Sequence, residues 1–140
     1  MTVYKINDLV KFDFIKIPKT LFANPKYKEM SSDAKLTYAL LYDRLSLSIQ
    51  NNWINADGEV YLVYTRGAIA EDLGITYKKA IAAFKELKEN NLIIDKQCGH
   101  GMPNYIFIVK PELSDTEAKK YTNKENSRPA EMECLDSDEC

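Results

Sequence analysis

Apolar positions recur along this chain with more than one period, and each period predicts an element. FDFIKIPK (12–19) alternates Phe12, Phe14 and Ile17 with charged neighbours and stops at Pro18. It predicts a short edge strand, because proline has no N–H to give a ladder. After LFANPKY, Ser31 or Ser32 followed by Asp33 and Leu36 is a helix-start signal, since a serine hydroxyl can accept an orphan N–H of the first turn. SDAKLTYALLYDRLSLSIQN (32–51) then reads as one helix of about five turns. Leu36, Leu40 and Leu47 form one stripe on it, and Tyr38, Leu41 and Leu45 a second. Two stripes imply burial on more than one side: a central core helix, or a helix with one stripe on a second subunit. WINADGEVYLVYT (53–65) predicts a β-hairpin turning at Asp57-Gly58, with both faces of its returning strand apolar.

The stretch TRGAIAEDLGITYKKAIAAFKELKENNLI (65–93) is the most informative. Thr65 caps a short helix with Ile69, Ala70 and Leu73 facing inward, and Gly74 stops it. Ile75 fills the corner, and Thr76 caps a second helix (76–90) carrying Ala80, Ala83, Phe84 and Leu87 at helical spacing. Small residues at Ala70 and Ala80 allow the two helices to cross closely. A strand begins at Leu92-Ile93-Ile94, KQCGHGMP forms a glycine-rich tip, and NYIFIVK returns. Helix, tight turn, helix and hairpin make an α+β winged helix-turn-helix. Residues 1–11 have no clear period and are expected to be a flexible arm. The domain is expected over 12–110, with 111–140 a disordered acidic tail too poor in apolar residues to offset its chain entropy.

Charge sharpens this division. The formal net charge is −2, yet residues 1–110 carry 15 Lys and Arg against 12 Asp and Glu, a net +3, and residues 111–140 carry 4 against 9, a net −5. The expected domain is mildly basic, so the overall acidity does not argue against a nucleic-acid partner. Three widely spaced cysteines form no disulfide framework and suit a reducing compartment. Cys98 and His100 lack the second pair that a metal site needs, so no metal is expected. No secretory leader and no bilayer-spanning apolar run are visible, which predicts a cytoplasmic protein with no membrane partner.

No catalytic set emerges either: there is no triad arrangement and no phosphate-binding GxxxxGK[ST] run, so neither an enzyme nor a cofactor is expected. What remains is the second helix, whose width suits the major groove of B-DNA while the first helix braces it across the backbone. Its outward positions are Thr76, Tyr77, Lys78, Lys79, Ala82 and Lys85. The lysines can neutralise phosphates or donate to guanine O6 and N7, and Tyr77 can bond a phosphate or touch a base edge. Lys96, Gln97 and His100 in the wing (96–103) can reach an adjacent groove or backbone. The competing reading is an ordinary solvated face for the lysines and a plain surface residue for His100.

The chain resembles the N-terminal domain of RepA-type replication initiators, proteins of plasmids from low-GC Gram-positive bacteria. The resemblance runs from about Phe14 to Val109 and is carried by FIKIPKTLF, AKLTYALLYDRLSLSIQNNW, DGEVYLVYT, AIAEDLGITYKKAIAAFKELKENNLI and GHGMPNYIFI. It implies a homodimeric winged helix that recognises repeated sites in double-stranded DNA at the plasmid origin. It also implies a linker to a C-terminal domain that engages host replication proteins. No such domain follows within these residues, so the chain is expected to be part of a longer initiator or a stand-alone regulator. His100 and Met102 stand where a more basic wing is common, which implies weaker wing contacts. Two alternatives use the same fold: a transcriptional repressor or copy-control protein, and a protein-interaction winged helix of the primosome type. The latter would not need Lys78, Lys79 and Lys85 clustered on one exposed side.

Overall fold

The computed structural model describes residues 2–8, 13–97, 99–102 and 104–113. A single 3-10 turn (Ile6–Asp8) precedes two one-turn helices, α1 (Thr20–Ala23) and α2 (Pro25–Lys28). There follow α3 (Ser32–Asp43), α4 (Leu45–Gln50), α5 (Arg66–Leu73) and α6 (Tyr77–Glu89), then an antiparallel pair, β1 (Ile93–Lys96) and β2 (Tyr105–Ile108). α3 packs across both α5 and α6. The pair runs in register from Ile93 opposite Ile108 to Lys96 opposite Tyr105.

The three longest helices begin with the same device. The hydroxyl oxygens of Ser31, Thr65 and Thr76 accept the backbone N–H of Ala34, Ala68 and Lys79, each at 3.1 Å. Each bond satisfies a donor that has no partner inside its helix. Glu86 of α6 reinforces the start of α3, accepting the Ser31 N–H at 2.9 Å and its hydroxyl at 2.6 Å. A carboxylate at a helix N-terminus is also favoured by the helix dipole. α5 ends at Gly74, whose φ of +71° lies in the left-handed region where a Cβ is strained. That reversal lets the Ile75 N–H bond the Ala70 carbonyl at 3.0 Å and sets α6 at its angle to α5.

The core sits where α3, α5, α6 and the sheet meet. Phe84, Ile69, Leu41 and Leu87 are fully buried there, with Leu62 and Ile106 closing the sheet side. Ala80 and Ala83 are buried along the face of α6 that meets α3 and α5, which is why small residues stand at those positions. Two polar couplings tie the layers together. Arg66 at the start of α5 donates to Asp95 of β1 at 2.8 Å while its guanidinium lies 4.5 Å from the Phe84 ring centre. Tyr64 donates to Asp72 of α5, and the Arg44 guanidinium lies 4.2 Å over the Tyr64 ring.

Four expectations are corrected. The described part of the 12–19 segment, residues 13–18, forms no strand; Phe14 and Ile15 are exposed, and only Ile17 packs on the core. Its alternation is not matched by any partner edge, and Phe12 lies outside the described residues. The 32–51 helix is two helices with an elbow at Arg44. There the N–H of Arg44 bonds the Leu41 carbonyl at 3.1 Å in the tighter pattern, and its side chain turns to cover Tyr64. The 53–65 hairpin keeps its turn, built on the Asn55 side chain accepting the N–H groups of Asp57 and Glu59, both at 2.9 Å. It makes only a single bridge, Ile54 with Val60, before Leu62 leaves to pair with Ile106 at the free edge of β2. Lastly, the chain stays on the domain beyond residue 110. The Glu112 N–H bonds the Tyr27 hydroxyl at 2.9 Å, and its carbonyl accepts from Asn24 at 2.9 Å and Thr20 at 3.1 Å. Lys26 pairs with the Glu112 carboxylate at 2.8 Å, which raises the Lys26 pKa. The rest of the expected tail, 114–140, lies outside the described residues.

Candidate nucleic-acid interface

α6 divides cleanly by burial. Ala80, Ala83, Phe84 and Leu87 are buried, and the remaining positions of its first two turns face solvent. Thr76 is held at the helix start by its cap bond, and Tyr77, Lys78, Lys79, Ala82 and Lys85 follow on the open side, all exposed. Packing against α3 and α5 fixes the rotation of the helix, so these side chains share one orientation by construction. Ile81, 42% exposed, adds an apolar contact to this side; the spacing of Ala80, Ala83, Phe84 and Leu87 does not include it.

Lys96, Gln97 and His100 are also exposed, at and beyond the end of β1. Gln97, Gly99 and His100 line one shallow concavity at the tip, set apart from the α6 side chains. The wing therefore offers a second contact region that no α6 residue lines. Cys98 and Pro103 lie outside the described residues.

The geometry adds residues that the spacing did not. A cleft of about 190 Å³ is lined by Thr65, Arg66 and Gly67 at the start of α5, Tyr77 of α6 and Asn104 before β2. It joins the helix-turn-helix to the wing. Asn104 carries no periodic signal, and only the strand register places it beside Tyr77. On the far side of the wing sheet the aromatics stack: Tyr61 lies 4.2 Å from Tyr105 and 6.2 Å from Trp53, ring centre to ring centre. Phe107 meets Tyr61 at 6.1 Å, and Ile94 is 57% exposed beside this row. Half-exposed aromatics in a row are costly to leave in water and mark a surface for contact.

Two helices crossing at a left-handed glycine, an exposed lysine-bearing second helix and a hairpin wing define a winged helix-turn-helix protein. The family model described as "Replication initiator protein A (RepA) N-terminus" matches residues 13–123, and the chain belongs to that family. A "41 kDa protein" of Lactobacillus helveticus is 31% identical over 110 residues, which are 74% of this chain and 31% of that protein. The chain thus spans about a third of the length of this curated relative. Among solved structures, one titled "N-Terminal domain of DNA binding protein" superposes with a TM-score of 0.72 at 33% identity, covering 90% of this chain and 96% of that one. "Structure of Rep-DNA complex" gives 0.72 at 34% identity, covering 89% and 96%. "Structure of MDR initiator" gives 0.70 at 36%, covering 90% and 100%. No helix among the described residues is long and apolar enough to cross a membrane.

Proposed function

We propose that this domain binds double-stranded DNA at the repeats of a plasmid replication origin, as the N-terminal part of a replication initiator acting in the cytoplasm. The observation that carries the reading is the exposed row Tyr77, Lys78, Lys79, Ala82 and Lys85 on a helix rigidly held by its neighbours. Membership of the initiator family and the likeness to a Rep–DNA complex support it. In this reading α6 enters the major groove, Lys78 and Lys79 meet phosphates or guanine edges, and Lys85 meets the backbone further along. The cleft between Tyr77 and Asn104 takes the phosphate strand between helix and wing. Lys96, Gln97 and His100 touch the next groove or its backbone.

Repeated sites are read most readily by paired domains on one side of the duplex. The aromatic row of the wing sheet supports a homodimer, with Trp53, Tyr61 and Tyr105 of two copies meeting. Engagement of host replication proteins belongs, in the same reading, to a part of the initiator beyond this domain.

The test is a titration of an origin duplex with the unaltered chain and with Lys78→Ala and Lys79→Ala. Each variant is expected to bind more weakly with an unchanged melting curve, because exposed substitutions rarely shift stability beyond about 0.5 kcal/mol. Two chains per pair of repeats is the expected stoichiometry. Variants that bind as tightly as the parent would take α6 out of the interface, and one chain per pair would remove the dimer.

A further inference from the structure

On the side of the domain lined by no α6 residue lies an apolar groove of about 400 Å³. Ile17 and Pro18 form one wall, Tyr38, Tyr42 and Leu45 of the α3–α4 elbow another, and Ile108 ends it. A second depression of about 360 Å³ shares Lys16, Tyr42 and Leu45 and runs on to Phe14 and Ile49. Phe14, 63% exposed, and Ile49, 54% exposed, have no partner in the core. Lys16 and Lys110 line the groove and are exposed, and of the residues lining the two depressions only Asp43 is acidic. The surface is therefore apolar at its floor and cationic beside it.

We infer that this groove is the docking site for the chain's own segment 131–140, EMECLDSDEC. That segment has the complementary chemistry. It carries Glu131, Glu133, Asp136, Asp138 and Glu139 with no lysine or arginine, and Met132, Cys134 and Leu135 supply apolar side chains. Glu131-Met132-Glu133-Cys134 alternates, which gives an extended segment one acidic and one apolar side. The tether also fits. Pro111 lines the groove, and Glu112 is gripped by Thr20, Asn24, Lys26 and Tyr27 immediately after it, so the chain leaves the domain beside the groove. A flexible tether of the length of residues 114–130 has a root-mean-square span of roughly 20–25 Å, which sets an effective concentration near the millimolar range. The α6 face competes for the carboxylates, but the cleft beside it, lined by Arg66, Tyr77 and Asn104, has about 190 Å³ against about 400 Å³ for this groove and offers less room for Leu135 or Met132. The segment lies beyond residue 123, where the family match ends. Because the groove shares no residue with α6, docking there leaves the lysine row open, and the inference does not depend on DNA binding.

A spin label on Cys134 of the full-length chain, carrying Cys98→Ser and Cys140→Ser, tests it through amide line broadening. The amides of Ile17, Tyr42, Leu45 and Ile108 are expected to lose signal when label and isotope are on the same copy. Leu135→Ser, which lies outside the described domain, and Lys16→Glu with Lys110→Glu are each expected to restore much of it with the melting curve unchanged. Broadening centred on Lys78 to Lys85 would overturn the proposal in favour of a DNA-mimicking contact. Broadening of equal size when label and isotope are on different copies would assign the groove to a second chain. Broadening that Leu135→Ser leaves untouched would reduce the effect to tethering and overturn it as well.

Discussion

Tyr64 shows how much one side chain can settle. It is 6% exposed, bonds Asp72 of α5 and lies under the Arg44 guanidinium, so it joins the α3–α4 elbow to the helix-turn-helix. Burial, and next the bond to Asp72, push its pKa up to about 12 from the model-peptide 10. Burial pushes the Tyr38 hydroxyl up as well, where it donates to the Val109 carbonyl at 2.8 Å. Between the unfolded and folded values the unfolded chain has released protons that the folded chain still holds, so stability must fall as pH rises. Below pH 10 this contribution is fully present; it is lost as pH climbs from 10 towards 12. The melting temperature is expected to drop across that window, and Tyr64→Phe to flatten the drop. A Tyr64→Phe melting profile parallel to the parent's would show that this hydroxyl is not protected in the fold.

At the scale of elements, the wing is anchored by a buried charge. The Asp95 side chain is 4% exposed, is bonded by Arg66, has Lys88 at 3.8 Å, and leaves its Oδ1 without a hydrogen-bond partner. Removing one member of a buried pair usually costs about 3–5 kcal/mol because the other charge stays uncompensated. Arg66 is partly exposed and Lys88 remains nearby, so Arg66→Ala is expected to cost less, about 2–3 kcal/mol in a urea melt. Asp95→Asn should cost less than that, since it keeps the Arg66 guanidinium on Phe84 and Arg66 can turn to water; the reverse order would mean that the Asp95 carboxylate, not Arg66 and its stacking on Phe84, holds the wing. The elements fixed by neighbours in sequence were legible: caps at Thr65 and Thr76, the glycine at 74, and the buried phase of Ala80, Phe84 and Leu87. Those decided by distant partners were not. The elbow at Arg44 depends on Tyr64, the missing strand at 13–18 on the absence of a ladder partner for it among the described residues, and the departure of Leu62 on Ile106. The outward lysines of α6 were readable because the buried stripe fixes the opposite side; Asn104 and Arg66 were not, because only tertiary register brings them to Tyr77.

For the whole molecule, the composition hides the surface that matters. The formal charge is −2, yet the α6 side presents Lys78, Lys79 and Lys85, while one acidic residue beside them, Glu86, is engaged with Ser31. Asp95 is likewise held by Arg66, so the basic side is less offset than the sequence total suggests. A domain of this kind binds a polyanion by releasing counterions, and each neutralised phosphate contributes about 0.9 to the slope of log affinity against log salt. The measurement that tests this account most directly is the affinity of the full chain for an origin duplex across a salt series. Tight binding is expected at low salt, with a slope of about 0.9 to 2.7 per chain according to how many of the three lysines meet phosphate. Absence of binding at low salt, or an affinity indifferent to salt, would contradict it.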